Sequence, residues 1–309
     1  MKASAGAAAA VRTRRAMARP VGVGKPSPIR MGAPLFKKVE DPGDWAARVK
    51  ELGYSAAYCP VRVGAEPELV RAYAAKAREA DITIAEVGVW KNAISPDEEA
   101  RKKAMDHSLA SLDLADRIGA RCCVNVSGSR GAERWAGPHP ENLTEETFDM
   151  IVQMCRSIID AVKPTQTYWT IEAMPWAYPP TVDANLQLLK AVDRKRFAIH
   201  LDPVNMVNSP VLYYRSGDLI RDCFDRLGPY IRSCHAKDIH LRDDIYTTQL
   251  KEIRIGLGGL DYVTYLKEMS KFPEIPLMLE HLRTAEDFKL AADHLRGLAS
   301  QNGLSFRQI

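Results

Sequence analysis

The amino-acid sequence predicts a single (β/α)₈ TIM barrel with a flexible N-terminal tail, on three observations. Eight short apolar runs alternate with longer helical patterns from about residue 30 onward. Eight βα units in series favour a closed barrel, because an open doubly wound sheet usually carries about five or six strands. The runs are nearly continuous in apolar character, which is the pattern of parallel strands covered on both faces.

Each element follows from its own residues. The first strand is RMGAPLF (30–36), and MGAPLFKKVED offers no glycine-rich turn of the kind a dinucleotide-binding open sheet needs. Asp41-Pro42 then opens a helix through DWAARVKEL, with a side-chain acceptor at the cap and proline in the first turn. The second strand, SAAYCP (55–60), leads into PELVRAYAAKAREA. The third, TIAEVGVW (83–90), is followed by the cap Ser95-Pro96-Asp97 and the helix AMDHSLASLDLADRI. RCCVNVS (121–127) is the fourth, connected through the long loop SGSRGAERWAGPHPEN to TFDMIVQMCRSIIDAV. YWTIEAM (168–174) is the fifth, and Thr181-Val182-Asp183 caps DANLQLLKAV behind it. FAIHLDP (197–203), YIRSCHAKD (230–238) and IPLMLEHL (275–282) complete the set. The helical segments place apolar residues at three- and four-residue spacing. GLGGLD, before the last strand, reads as a turn with Asp261 capping the next helix rather than as a phosphate cradle. The barrel is expected over 29–303, with a tail at 1–28 and a short C-terminal tail at 304–309.

Composition excludes several classes. A hydrophobic share of 46% and a charged share of 27% are ordinary for a globular protein. A net charge of +4 demands neither nucleic acid nor an acidic membrane surface, and no apolar run reaches the roughly 18 residues of a membrane span. Arg12, Arg14, Arg15, Arg19, Lys25 and Arg30 lie in the first thirty residues without an acidic partner. The apolar stretch there precedes the arginines, the reverse of a secretory signal, and a transit peptide is the alternative to a plain tail. Cys59, Cys122, Cys123, Cys155, Cys223 and Cys234 form no CxxC pair. They read as free thiols in a reducing compartment, so the expected location is cytoplasmic.

In a barrel of this kind, side chains at the C-terminal strand ends face the active-site mouth. Four consecutive strands end in a metal-ligand type: Glu172, Asp202, His235 and Glu280. Each closes an apolar run, where an unpaired charge is costly. Three carboxylates and an imidazole suit one divalent ion, Mn²⁺ first, with Mg²⁺, Co²⁺ or Zn²⁺ as alternatives. Taken singly, such a residue is more often a hydrogen-bonding or ion-pairing group than a ligand, and it is the four together on adjacent strands that favour a metal.

Around them, His200 shares a face with Asp202 and is either a site residue or a hydrogen-bonded interior histidine. Lys237 can reach a substrate oxygen or close a strand-end salt bridge. Trp90 and Trp176 offer apolar walls, and Asn125, with Lys91, Asn92, Ser127 and Ser129, offers hydroxyl contacts. His240 and His281 read as rim residues. Arg130 and Arg134 could bind an anion, although a charged loop is usually only solvated.

The strand-five glutamate, LDPVN, HAKD, GLGGLDY (256–262) and the strand-eight glutamate together resemble the xylose-isomerase-like barrels of the sugar-phosphate isomerase/epimerase superfamily. The resemblance spans roughly residues 30–300. It implies that Glu172, Asp202, His235 and Glu280 hold one ion and that Glu172 and Glu280 double as an acid/base pair. A homo-oligomer is a further implication. Ketose 3-epimerases of this superfamily carry a histidine where Asn205 stands, a glutamate at Tyr178, and an arginine at Leu241, one residue before Arg242. The endonuclease branch needs a histidine-rich zinc cluster and a basic DNA face, and the sequence shows neither.

The expected function is proton abstraction beside a metal-polarised carbonyl of a sugar or keto-polyol, giving an isomerase or epimerase. The alternative is a lyase on the same scaffold, a keto-polyol dehydratase or an enzyme cleaving a 3-keto-glycoside or C-glycoside. A non-enzymatic sugar binder is the third reading. It has no need of acid/base carboxylates.

Overall fold

The computed structural model describes residues 26–37 and 39–309. Residues 1–25, most of the stretch expected to be a tail, lie outside the described residues.

The strands are β1 (Arg30–Gly32), β2 (Ala56–Ala57), β3 (Thr83–Ile84), β4 (Glu86–Gly88), β5 (Cys122–Val126), β6 (Trp169–Glu172), β7 (Phe197–Leu201), β8 (Ile231–Ala236), β9 (Asp238–Leu241), β10 (Leu250–Ile253) and β11 (Pro276–Leu279). A curled parallel sheet runs β1-β11-β8-β7-β6-β5-β4, and β2 pairs with β3 beside it. The expected third strand is thus two pieces, β3 and β4, separated at Ala85. Thr83 N, Ala85 N and Cys59 N join β2 to β3 and β4, donating to Ser55 O, Ala57 O and Glu86 O, and Ser55 N closes the ring by donating to Met31 O at 3.0 Å. Gly32 makes this seam possible, because a Cβ there would sit 2.4 Å from Ala56 O.

The helices pack outside the ring with their apolar stripes inward, and one continuous core lies between sheet and helices. Trp169 on β6, Tyr73 on Pro67–Glu79 and Tyr265 on Tyr262–Met269 are among the largest side chains buried there. The helix starts follow their expected caps. Asp41 accepts from Gly43 N and Asp44 N, Asp97 from Ala100 N, Thr181 from Ala184 N, and Asp261 from Thr264 N.

Two segments differ from expectation. The HAKD run does not stay in the barrel. After Ala236 the chain turns into β9, which pairs antiparallel with β10 as a hairpin over the mouth. Residues 304–309 are bound to the bottom of β1: Phe306 bridges Ile29, Arg307 N donates to Ile29 O, and Leu304 and Phe306 are buried. None of the six cysteines is paired, and five of them are buried. Among the described residues, no helix is long and apolar enough to cross a membrane.

Candidate metal centre

The four strand-end ligand candidates meet at the mouth. Glu172, Asp202, His235 and Glu280 each present a ligand atom, and these atoms lie within 4.8 Å of one another. The local folding places them there. Glu172 ends β6, and Asp202 follows β7 as the cap of a short turn, Pro203–Met206, accepting from Val204 N at 2.9 Å and Asn205 N at 3.2 Å. His235 lies near the end of β8, level with Met278 on β11, and Glu280 directly follows β11.

A second layer lies beneath. Glu86 on β4 is buried in the barrel and receives His200 Nε2 at 2.8 Å, His235 Nε2 at 3.1 Å and Ser233 Oγ at 3.0 Å. With Nε2 committed to Glu86, the other nitrogen of His235, Nδ1, faces Glu280 Oε1 at 3.0 Å and Glu172 Oε1 at 3.3 Å. A carboxylate behind a histidine that turns its free nitrogen to a cation site is a recurrent way of orienting a metal ligand. Glu86 escaped the reading of strand ends, although it interrupts the apolar run TIAEVGVW as Glu172 interrupts its own.

The charge balance is unusual. Burial works against ionised Glu172 and Glu280, but His235, joined by Lys237 at Glu280, holds both below the usual carboxylate range. Burial, with Glu172 and Glu280 adding to it, pushes Asp202 up to about 7 despite Lys237. Burial also opposes a charge on His235, and Glu280, Glu86 and Glu172 outweigh it, holding that imidazole well above its ordinary value. Lys237 Nζ lies 2.6 Å from Asp202 Oδ2 and 2.8 Å from Glu280 Oε1, and it donates to Asn205 Oδ1 at 3.0 Å. Both carboxylates thus share the one ammonium, and Glu280 Oε1 also faces His235 Nδ1. Three largely buried carboxylates crowded around one ammonium and one imidazole fit a divalent cation, and so does their hard oxygen/nitrogen donor set.

Of the other expected substrate residues, Trp90, Trp176, Asn205 and Lys237 line the cavity above the tetrad, together with Tyr58, Trp135 and Glu252, which the sequence pattern did not single out. Asn205 Nδ2 donates to Glu172 Oε1 at 2.9 Å. Three further candidates have their polar groups engaged elsewhere, His200 in the second of its two expected settings. Asn125 is buried, and its amide is taken up by Lys91, accepting from Lys91 N and donating to Lys91 O, so it braces the loop bearing Trp90. His200 is the buried interior histidine held by Glu86, with Nδ1 3.9 Å from Glu172 Oε2. Arg242 follows β9 onto the hairpin, where Asp244 and Gln249 occupy its guanidinium, away from the cavity lining. Arg130 is likewise paired, with Glu141 and Glu146.

A barrel whose strand ends converge on a buried carboxylate-histidine cluster is the class that fold and site define. The chain belongs to the xylose isomerase-like TIM barrel family, whose model matches residues 46–300. Among curated proteins, none matches. Several solved structures share the fold at low identity. A xylose isomerase-like TIM barrel protein from Mycobacterium smegmatis, solved in complex with magnesium, is 17% identical, with a TM-score of 0.61 over 89% of this chain and 98% of the other. D-psicose 3-epimerase from Clostridium cellulolyticum H10, solved with D-tagatose, is 14% identical, with a TM-score of 0.59 over 87% and 99%. The 3-keto-D-glucoside 4-epimerase from E. coli is 13% identical, with a TM-score of 0.60 over 87% and 99%.

Proposed function

We propose that this protein is a divalent-metal-dependent isomerase or epimerase of a keto-sugar or keto-polyol, working by proton transfer at the carbon beside the carbonyl. The observation that carries the reading is the convergence of Glu172, Asp202, His235 and Glu280 on one point, each offering a ligand atom within 4.8 Å of the others. Similarity to two epimerases and to a magnesium complex supports it.

When bound, a divalent ion supplies the positive charge that stabilises the oxygen as it becomes negative. Mn²⁺ is the ion we place first, with Mg²⁺ and Co²⁺ compatible with the same donors. The chain's residues do the rest. Glu172 and Glu280, on β6 and beyond β11, act as the acid/base pair: one, as carboxylate, takes the proton from one face of the carbon, and the other, carrying a proton drawn from solvent, delivers it to the opposite face. Asn205 steers Glu172 through the bond to Oε1. Lys237 offers its ammonium to a substrate oxygen at the same level. Departure of a leaving group instead of reprotonation would turn the same first step into a lyase reaction, and product analysis separates the two.

The test is elemental analysis of the purified protein and its Asp202→Asn variant after Mn²⁺ loading, with keto-sugar proton exchange followed in D₂O for the wild type and Glu280→Gln. The expected result is about one ion per chain, lost in Asp202→Asn, and exchange abolished in Glu280→Gln. An ion-free wild type after loading, or full exchange in Glu280→Gln, overturns the assignment.

A further inference from the structure

We propose that the substrate of this site carries a bulky aromatic group on its sugar or polyol, seated in the outer half of the same cavity. The inference deepens the functional reading above and rests on it for the oxygen-rich half of the ligand.

The cavity encloses about 930 Å³, near the upper end of the roughly 300–1,000 Å³ that holds drug-sized ligands. Its chemistry divides by depth. Glu172, Asn205, His235, Lys237 and Glu280 form a polar floor that suits a hydroxy-carbonyl group. The walls above it are aromatic: Phe36, Trp90, Trp135 and Trp176 are 54%, 37%, 46% and 38% exposed. Of the polar residues that line the cavity outside the floor, Glu252 and His281 are occupied with each other at 3.1 Å, which leaves Lys37 beside Phe36 as an exposed ammonium. A bare polyol against such walls would lose hydration from its hydroxyls and find few partners. An aromatic ring would bury its apolar area against the indoles instead.

The aromatic walls are also held in place. Trp90 has φ of 51°, a left-handed conformation that is strained for so bulky a residue. Gly88 leaves the room for it, because a Cβ there would lie 2.1 Å from Trp90 Nε1. Asn125 clamps the next residue, Lys91, at both backbone groups. The result is an indole whose ring centre is 6.4 Å from that of His235, at the boundary between floor and wall. Trp176 Nε1 donates to Ala136 O at 2.8 Å, which satisfies its only polar side-chain atom and links it to the loop bearing Trp135. Phe36 packs on Phe288 with ring centroids 5.5 Å apart. Strain and rigid placement of exposed indoles fit a wall prepared for a planar partner.

The test compares phenyl β-D-glucopyranoside with methyl β-D-glucopyranoside by calorimetric titration into the full chain in the presence of chelator. The phenyl glycoside is expected to bind at least tenfold more tightly. Trp135→Ala and Phe36→Ala are expected to cut phenyl affinity severalfold while leaving the methyl glycoside unchanged, with the thermal midpoint unchanged in Trp135→Ala and slightly lowered in Phe36→Ala, which loses its packing on Phe288. Equal affinities, no phenyl binding at millimolar concentration, or a preference that survives in the double variant overturns the proposal. Because the comparison is made without metal, failure of the ion assignment leaves this ratio intact. Loss of the ratio in turn leaves ion binding intact.

Discussion

Glu86 holds His235 from beneath: Oε1 lies 3.1 Å from Nε2, on the opposite side of the imidazole from Glu280. The same carboxylate receives His200 and Ser233, so one buried charge orders three side chains under the tetrad. It stays ionised although burial opposes this, because the two histidines outweigh the cost.

Glu86→Gln keeps the shape and removes the charge that orients His235. Partners of this kind typically contribute about 10–100-fold to metal affinity. The variant is expected to bind Mn²⁺ at least tenfold more weakly in calorimetric titration and to lose turnover in parallel. Unchanged affinity would reduce Glu86 to a packing residue.

Gly32→Ala tests the seam. The added Cβ would lie 2.4 Å from Ala56 O and 2.8 Å from Met278 Cε, and the carbonyl belongs to backbone that the ring holds in place. Overpacking of this kind costs about 1–3 kcal/mol or more, and the upper end is expected in urea unfolding. Gly297→Ala is the control. It lies within the helix Ala285–Gln301 with nothing within 4 Å, so alanine there should stabilise by about 0.5–1 kcal/mol. Equal effects at the two positions would count against the seam.

Asp116 ties the end of Glu98–Ile118 to the segment before β6, accepting from Thr165 N, Gln166 N, Thr167 N and Thr165 Oγ1. Burial opposes its charge, but those bonds hold its pKa below the usual value. A depressed folded pKa contributes stability that is present above the unfolded value of about 3.9 and lost as pH falls through the folded value. Asp116→Asn is therefore expected to cost about 1 kcal/mol at pH 7 after solvent screening, with the gap to wild type closing below about pH 4. A gap of the same size at pH 2 would show that the loss does not come from the carboxylate charge.

Local pattern alone reached much of this protein. Apolar runs and capping residues such as Asp97 and Thr181 located the strands and helix starts, since both depend on neighbours in sequence. The tetrad was legible for the same reason: each member is a polar residue closing an apolar run. Glu86 carries a similar signal, but it lies in the middle of the apolar run and just past the break at Ala85, so its position in sequence does not mark it as a strand-end residue.

Depth along the barrel axis, and the course of the chain beyond each strand, came from tertiary structure alone. Alternation in sequence assigns Asn125, His200 and Glu172 to strands without saying which of them reaches the cavity, because depth is set by the register between strands. Arg242 left the mouth because the backbone turned into a hairpin held by pairing with a strand several residues further on, a contact that no local preference encodes. Fold class and the four side chains that converge at the mouth were already written in the order of residues along the chain. The layer beneath them and the aromatic walls above them exist only once the separate βα units close into one ring.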